Sequence, residues 1–316
     1  MPSEFELIAR FVRSFPGHSS SVLAGPGDDC AITRPRPGRV LVSKVDQVVE
    51  GVHFGPAFRP EEIGHKALAA ALSDLAAAGA EPRWFLVAVA HPPELPPEFL
   101  DGVARGMARL ARRARVDLVG GNFARARELS LTVTALGEAA PDQVLGRGGA
   151  RPGDWLLVSG TLGDAALGLR RLAAGRPARL DPFVRAQLAP EPRVELGRIV
   201  GRYARAAIDV SDGFLQDLGH LCARSGVGAD VFLDALPVRP AVRRAGLELA
   251  LAGGEDYEIL CAASPERAQA LLRACRRRGW SMRRIGEIRE GEGIRLLDAR
   301  GEEVPLPERH GWEHFA

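Results

Sequence analysis

Lysine is nearly absent from this sequence. Of the 42 basic residues only Lys44 and Lys66 are lysines, and the arginines are interspersed with 40 acidic residues, which leaves a net charge of +2. Proteins that bind the phosphate backbone of nucleic acids concentrate basic residues on one surface. We therefore expect no nucleic-acid partner.

Paired cysteines and long apolar runs are also missing. The four cysteines, Cys30, Cys222, Cys261 and Cys275, show no CxxC spacing, which argues against a disulfide framework and against a zinc site. Residues 1–6 are acidic where a signal peptide is basic, and no run reaches the roughly 18 apolar residues of a membrane helix. We expect a cytoplasmic protein with no membrane partner.

The 316 residues are 46% hydrophobic and are enough for two domains. Strand-like and helical patterns alternate, which predicts an α/β (α+β) architecture. Prolines and glycines cluster over residues 139–154, so we predict domains at 1–139 and 140–316. The predicted strands cover residues 40–52, 84–90, 129–137, 155–159, 229–233, 257–263 and 282–288. The predicted helices cover residues 4–15, 60–78, 97–114, 163–172, 182–200, 213–225 and 265–278.

Two aspartates stand inside apolar segments. Within residues 67–78 only Ser73 and Asp74 are polar, so this helix should be buried on all sides. Asp209 lies in the apolar residues 206–210. Because an ionised carboxylate is costly to bury alone, each of the two should be paired with a cation or bound to a metal ion.

Three other acidic segments each allow two interpretations. Residues 27–29 fit a turn or a ligand loop, residues 209–213 fit a helix cap or a binding loop, and residues 253–256 fit a plain loop or part of a site. If their carboxylates converge, pairs about 4 Å apart repel by about 4 kcal/mol at an effective dielectric constant of 20. Oxygen ligands without cysteine or histidine select a hard cation, Mg²⁺ before Zn²⁺.

A magnesium ion held by carboxylates commonly takes a phosphate ester as another ligand. The sequence has neither a GxxxxGK[ST] loop nor the protein-kinase motifs, so phosphate would be held in another way. The backbone at residues 120–121 and 159–163 could approach phosphate oxygens, or these glycines could form plain turns.

Taken in order, these segments resemble the thiamine-monophosphate kinase family, part of the superfamily that includes aminoimidazole-ribonucleotide synthetase and selenophosphate synthetase. The resemblance runs nearly from end to end, and the series of motifs is far more specific than any single member. The motifs lie at residues 25–31, 46–54, 65–80, 151–155, 159–164, 208–213, 253–258 and 311–315.

The resemblance implies ATP-dependent phosphorylation of thiamine monophosphate to thiamine diphosphate by direct in-line transfer. Several Mg²⁺ ions would lie between the two phosphate-bearing substrates, and catalysis would rest on positioning and charge neutralisation. It also implies a homodimer joined through the sheet of the N-terminal domain, and a C-terminal domain that closes over a cleft. The expected partners are ATP and thiamine monophosphate, and the expected cofactor is Mg²⁺.

The resemblance also assigns roles to individual residues. The catalytic carboxylates would be Asp74, Asp209 and Asp212. The nucleotide would contact Gly120, Gly121, Arg147 and Ser211, and the thiamine pocket would be shaped by His53, Glu255 and Trp312. The metal ligands would be Asp28, Asp29, Asp46, Asp74, Asn122, Asp209 and Asp212.

Three positions depart from the family pattern. Ser-Thr-Asp is replaced by Lys44-Val45-Asp46, which exchanges a hydroxyl for a methyl group and adds an ammonium. The acidic residue of Gly-Gly-Asp-Thr-Thr is Asn122, an oxygen ligand without charge, and the asparagine before Leu-Ser-Asp is Ala71. We expect weaker metal occupancy, activity only at raised Mg²⁺, or Mn²⁺ as the better ion.

Two alternatives to this kinase activity stay open. The chain could be a superfamily paralogue that phosphorylates another small acceptor, because the changed positions lie near the transferred phosphate. It could also be a non-catalytic homologue that binds nucleotide and has lost full metal loading.

Overall fold

The computed structural model describes residues 4–175 and 178–313 and divides into two compact units. The N-terminal unit extends to residue 75 and includes residues 81–141, and the C-terminal unit comprises residues 76–80 and the chain from residue 142 onward.

The N-terminal unit is built mainly from one sheet and the helices that pack on it. The helices are α1 (Glu4–Val12), α2 (Pro60–Ala77) and α3 (Pro97–Ala114). The strands are β1 (Val22–Ala24), β2 (Ile32–Thr33), β3 (Val40–Val49), β4 (Glu81–His91), β5 (Asp117–Arg125) and β6 (Ser130–Ala139).

The main sheet of this unit has the strand order β3-β6-β4-β5. Strands β4 and β5 are parallel and joined through α3, and the other pairs are antiparallel. Alternate side chains point to opposite faces of a sheet. Val133 and Ala135 on β6 are fully buried, whereas Leu41 and Val45 on β3 are 53% and 59% exposed. We call the side bearing Leu41 and Val45 the open face.

The C-terminal unit contains the remaining elements. Its helices are α4 (Asp164–Ala173), α5 (Pro182–Leu188), α6 (Val194–Val200), α7 (Phe214–Ser225), α8 (Pro240–Ala245), α9 (Glu248–Leu251) and α10 (Pro265–Arg277). Its strands are β7 (Trp155–Ser159), β8 (Ala206–Val210), β9 (Gly228–Phe232), β10 (Glu258–Ala263), β11 (Met282–Arg289), β12 (Ile294–Leu297) and β13 (Glu303–Val304).

These strands form a sheet in the order β13-β12-β9-β11-β7-β10-β8, in which β12 and β9 are parallel and the other pairs antiparallel. Both faces of this sheet are buried. Leu156 and Val158 join one apolar core with α7, and Leu157 joins a second core with α6 and α10. Burial on both faces explains why the central strands are apolar along their whole length.

The mixed α/β architecture predicted from the sequence is confirmed. The single helix predicted over residues 182–200 is wrong, because Pro190 and Pro192 lack the N–H that a helix interior needs and separate α5 from α6. The strand predicted over residues 40–52 ends at Val49, and β5 and β8 were not among the predicted strands. No helix in the described part of the chain is both long and apolar enough to cross a membrane.

Candidate active site

Strand β3 carries a lysine and an aspartate, Lys44 and Asp46, whose side chains lie near the carboxylate of Asp74 on α2. Lys44 and Asp46 are two residues apart, so their side chains share the face opposite the open face. The Lys44 Nζ lies 2.9 Å from the Asp74 Oδ2 and 3.6 Å from the Asp46 Oδ2. The sequence prediction that Asp74 has a cationic partner is therefore confirmed, and that partner is the ammonium of Lys44.

The surroundings of Asp46 and Asp74 disfavour a negative charge on both carboxylates at once. Burial raises the pKa of Asp46 above its usual range, the Lys44 ammonium opposes this rise, and the nearby Asp74 adds to it. Asp74 follows the fully buried Leu72 on α2, yet its own side chain is 24% exposed. The pair is thus reachable from solvent and attracts positive charge.

Val45 does not belong to this group. It pairs with Thr134 on β6 and lies on the open face, whereas Asp46 points to the other side. A hydroxyl at this position would therefore lie on the face opposite the Asp46 carboxylate, because adjacent residues of a strand alternate between faces.

His53 lies just beyond β3 and is held by several hydrogen bonds. Its Nδ1 accepts a hydrogen bond from the Val49 N–H at 3.1 Å, and its carbonyl oxygen accepts one from Lys66 Nζ at 2.8 Å. Because Nδ1 is an acceptor, the proton of the neutral ring is on Nε2. Lys66 is 1% exposed and lies 5.1 Å from the ring centre of Phe58. Its role in holding His53 was not predicted, and its position in an apolar helix was the available signal.

Gly120 and Gly121 are inside β5 and do not form the turn that the sequence also allowed. A Cβ on Gly121 would come within 2.1 Å of the Val87 carbonyl oxygen, so the close approach of β4 and β5 requires glycine there. The strand order puts β5 at the opposite edge of the sheet from β3, three strand spacings or about 14 Å away. By register Asn122 is in line with Gln47 on the open face, so within one chain Asn122 is not next to Asp46.

Asp28 and Asp29 are both exposed and follow a tight turn. The Asp28 N–H donates to the Gly25 carbonyl oxygen at 3.3 Å, and Gly27 has a φ of 116°, which favours glycine. The turn interpretation is confirmed, and exposed carboxylates at a turn can still bind an ion.

In the C-terminal unit, β8 leads directly into the second acidic group. Asp209 is 3% exposed, as its apolar surroundings predicted, and Ser211 and Asp212 follow the end of the strand. The helix-cap interpretation of Ser211 or Asp212 is wrong, since α7 starts after Gly213 with no side-chain cap.

Asp217 organises this loop from inside α7. Its Oδ2 accepts hydrogen bonds from the backbone N–H groups of Ser211, Asp212 and Gly213 at 3.0, 3.2 and 3.2 Å. Burial and the charge of Asp212 raise the pKa of Asp217 to about 7, and the three N–H groups oppose this rise. Asp217 was not among the predicted site residues. The available sequence signal was the position of this aspartate, four residues after Gly213, the glycine at which the helix begins.

The same loop collects two of the predicted substrate residues. The Glu255 N–H donates to the Ser211 carbonyl oxygen at 2.7 Å, and the Trp312 N–H donates to the Asp212 carbonyl oxygen at 2.9 Å. The Glu255 carboxylate accepts a hydrogen bond from Gln187 Nε2 at 2.6 Å. Ser211, Asp212, Glu255 and Trp312 are therefore neighbours. The predicted motif residues 314–315 lie outside the described residues.

Arg147 has an exposed side chain in the connection before β7. Its carbonyl oxygen accepts a hydrogen bond from Ser225 Oγ at 3.2 Å, and the neighbouring Gly146 carbonyl oxygen accepts one from the Ala207 N–H at 3.0 Å. Arg147 is thus anchored near the start of β8 through its backbone, and its guanidinium is directed to solvent.

The start of α4, where residues 159–163 were expected to offer N–H groups to phosphate, already has an acceptor. The Asp256 carboxylate accepts hydrogen bonds from the Gly163 and Ala165 N–H groups at 2.6 and 3.2 Å. Burial raises the pKa of Asp256 well above its usual range. These two N–H groups therefore already donate to a carboxylate of the protein instead of to a phosphate.

The predicted metal ligands suit a hard cation by their chemistry, since they supply only carboxylate and amide oxygens. The Asp46–Asp74 pair supports this fit, because it already takes a cationic neighbour: the Lys44 ammonium lies 2.9 Å from the Asp74 carboxylate and 3.6 Å from that of Asp46. Over residues 4–175 and 178–313, no three histidine, cysteine, aspartate or glutamate side chains are already arranged as a metal site. The predicted ligands belong to four segments: the exposed turn, the pair on β3 and α2, strand β5, and the end of β8 with the loop that follows it.

Comparison with known proteins identifies the class of protein to which the two units belong. The AIR synthase related protein N-terminal domain matches residues 27–139, and the C-terminal domain of the same proteins matches residues 151–298. The two units thus have the fold of AIR synthase related proteins.

Similar proteins narrow the class further. Thiamine-monophosphate kinase of Salmonella typhimurium is 39% identical over 83% of each chain. The crystal structure of thiamine-monophosphate kinase from Stenotrophomonas maltophilia has a TM-score of 0.83 at 38% identity, covering 95% of this chain and 96% of that one. The structure of AaThiL complexed with AMPPCP and TMP has a TM-score of 0.79 at 32% identity, covering 89% of each chain. The chain belongs to the thiamine-monophosphate kinase family.

Proposed function

We propose that this chain transfers the γ-phosphoryl group of ATP to thiamine monophosphate, yielding ADP and thiamine diphosphate. The observation that carries the proposal is the grouping of Ser211, Asp212, Glu255 and Trp312 around one loop. It occurs in a chain similar along nearly its whole length to thiamine-monophosphate kinases, and a similar structure binds AMPPCP and TMP together.

The transfer is a direct in-line displacement. A terminal phosphate oxygen of thiamine monophosphate forms a bond to the γ-phosphorus as the bond from that phosphorus to the bridging oxygen of ADP breaks. Both substrates are anionic, so the main requirements are alignment and charge neutralisation. Bound Mg²⁺ would supply positive charge to the phosphate oxygens.

In each unit we assign acidic residues to contacts with the cationic groups, metal ions or the Lys44 ammonium, that neutralise phosphate charge. Asp46 and Asp74 act from the N-terminal unit, and Asp209 and Asp212 act from the C-terminal unit, where Asp217 fixes the loop. We assign Asp28, Asp29 and Asn122 to further ion or phosphate contacts, since their oxygens are exposed.

The nucleotide contacts come from backbone and small residues. Gly120 and Gly121 leave two positions of the edge strand β5 without side chains, and we assign the Ser211 hydroxyl, in the loop fixed by Asp217, to the nucleotide. The exposed side chain of Arg147 provides a positive charge for phosphate.

The thiamine group is recognised by one aromatic, one acidic and one neutral polar side chain. The indole of Trp312 is 56% exposed and offers a stacking surface to a cationic ring. Glu255, oriented by Gln187, adds negative charge, and the Nε2–H of His53 is a fixed donor.

We also propose that the chain acts as a homodimer in the cytoplasm. Leu41 and Val45 are exposed on the open face, and β3 is an edge strand, so a second copy could cover both. We expect a dimer at micromolar concentration by light scattering coupled to size exclusion, weakened by Leu41→Asp. A monomer under these conditions would remove this assignment.

Coupled ADP release tests the activity. We expect ADP release with thiamine monophosphate and Mg²⁺, and only background release without acceptor. Release with another acceptor but not with thiamine monophosphate would favour the paralogue alternative. Nucleotide binding without turnover for any acceptor would favour the non-catalytic alternative.

A further inference from the structure

The ammonium of Lys44 lies where two carboxylates converge. It contacts Asp74 at 2.9 Å and Asp46 at 3.6 Å, and the residues that face them from β6, Val133 and Ala135, are fully buried and apolar. No polar group of β6 competes for the carboxylates from that side. The position between them is therefore filled by a cation that belongs to the chain.

The choice of lysine at this position has a physical reason. Nearly all other cationic side chains in the sequence are arginine. An ammonium is a compact point charge with three donors in different directions, whereas a guanidinium is a broad planar fork. From a strand position only two residues before Asp46, the compact group can meet both carboxylates at once, much as a small ion would.

We propose that Lys44 takes the place of one divalent cation between Asp46 and Asp74, so that this chain assembles its acidic pair without that ion and binds one divalent ion fewer. This inference rests on the proposed function in one respect, the assignment of Asp46 and Asp74 to the phosphate-transfer site. It makes Lys44 a positioning residue that supplies a permanent charge.

The test counts bound ions. Mn²⁺ binding is measured by electron paramagnetic resonance in the presence of saturating AMPPCP for the wild type, for Lys44→Met and for the control Arg273→Met. The control removes the same charge from an exposed position on α10 of the other unit. We expect Lys44→Met to bind one more Mn²⁺ per chain than the wild type, and Arg273→Met to bind the same number. Equal numbers for the wild type and Lys44→Met would overturn the proposal.

Thermal stability gives a second readout that needs no nucleotide. In EDTA, Lys44→Met should melt below the wild type, and Mg²⁺ alone should restore most of the loss, whereas the wild type should respond little to Mg²⁺. The double variant Lys44→Met/Asp46→Asn removes a carboxylate with the ammonium, so it should keep its stability in EDTA and gain no ion. If Lys44→Met does not fold, the proposal is tested by the number of ions that the double variant binds and by the change in the wild-type melting temperature on adding Mg²⁺. A double variant that gains an ion, or a wild type strongly stabilised by Mg²⁺ alone, would contradict the proposal.

These readouts separate the two claims. If the wild type does not phosphorylate thiamine monophosphate while Lys44→Met gains one Mn²⁺, the proposed function fails and the role of Lys44 stands. If the wild type is active and the ion count does not change, the role of Lys44 fails and the function stands.

Discussion

In the N-terminal unit, the carboxylates of Asp46 and Asp74 contact the side-chain ammonium of Lys44. In the C-terminal unit, the loop that bears Ser211 and Asp212 is fixed by backbone N–H groups that donate to Asp217. The first arrangement depends on a cation, and one cation can be exchanged for another. The second is part of the fold, because its donors are main-chain groups. The two acidic groups should therefore respond differently to substitution and to metal.

The largest effect is expected from the N-terminal pair. Asp74→Asn removes charge from the transfer site and should reduce turnover by about 100-fold or more, the scale of losing one stabilising group at a developing charge. The protein should remain folded, because the Asp74 side chain is partly exposed and the Asp46 carboxylate still lies beside the Lys44 ammonium. Steady-state turnover and circular dichroism check this, with Glu128→Gln on an exposed loop as the control. Normal turnover of Asp74→Asn would show that this pair does not belong to the site.

The C-terminal loop should respond mainly in stability. Asp217→Ala leaves three backbone N–H groups, one buried and two partly buried, without their acceptor. At about 1 kcal/mol for each, the midpoint of thermal unfolding should fall by about 6–12 °C. Asp217→Asn keeps an acceptor oxygen, so its unfolding midpoint should fall by less than that of the alanine variant. Differential scanning calorimetry compares the two variants. Equal midpoints for the alanine variant and the wild type would mean that the loop does not depend on Asp217.

The pH dependence of unfolding isolates the contribution of Asp217 when the wild type is compared with a variant that cannot titrate at this position. The folded pKa of Asp217 is raised to about 7 from 3.8. Between these values the folded state keeps a proton that the unfolded state has lost. This contribution to stability is therefore full below pH 3.8 and is lost as the pH rises through about 7, at up to about 1.4 kcal/mol per pH unit.

Asp217→Asn cannot titrate and is the matched control for this effect. Urea unfolding in EDTA from pH 4 to pH 8 should show the wild type losing stability relative to the variant as the pH rises. A constant difference across the range would mean that Asp217 is ionised throughout.

The smallest effect concerns the exposed turn. Cys30 follows Asp29 and is exposed, whereas burial raises the pKa values of Cys222, Cys261 and Cys275 to about 11, 12 and 11. Iodoacetamide at neutral pH should therefore modify Cys30 first, and Mg²⁺ with AMPPCP should slow the reaction if Asp28 and Asp29 bind an ion. Peptide mass spectrometry gives the rate. If Mg²⁺ with AMPPCP leaves the rate of Cys30 modification unchanged, Asp28 and Asp29 do not bind an ion.

Parts of both acidic groups could be predicted because burial has a clear sequence signature. The apolar surroundings of Asp74 and Asp209 indicated that each carboxylate needs a partner, and the structure gives Asp74 one in Lys44. The role of Asp217 was not predictable in the same way, because a polar residue on a helix commonly faces solvent. Only the fold shows that it turns back toward three N–H groups.

The N-terminal sheet shows where the sequence misleads. Gly120 and Gly121 suggested a turn, yet they allow β4 and β5 to approach closely inside a strand. Lys44, Val45 and Asp46 are consecutive in the sequence, which does not show which of them share a face. Strand alternation separates Val45 from Lys44 and Asp46. The pairing of strands fixes both facts, and pairing partners are distant in sequence.

The central claim is that the chain moves phosphate directly from ATP to thiamine monophosphate. Incubation of the wild type with [γ-³²P]ATP, thiamine monophosphate and Mg²⁺ tests it most directly, with separation of the products and of the protein. We predict label in thiamine diphosphate, none retained on the protein, and little transfer by Asp74→Asn. Label that remains on the protein or never reaches thiamine diphosphate would contradict the account.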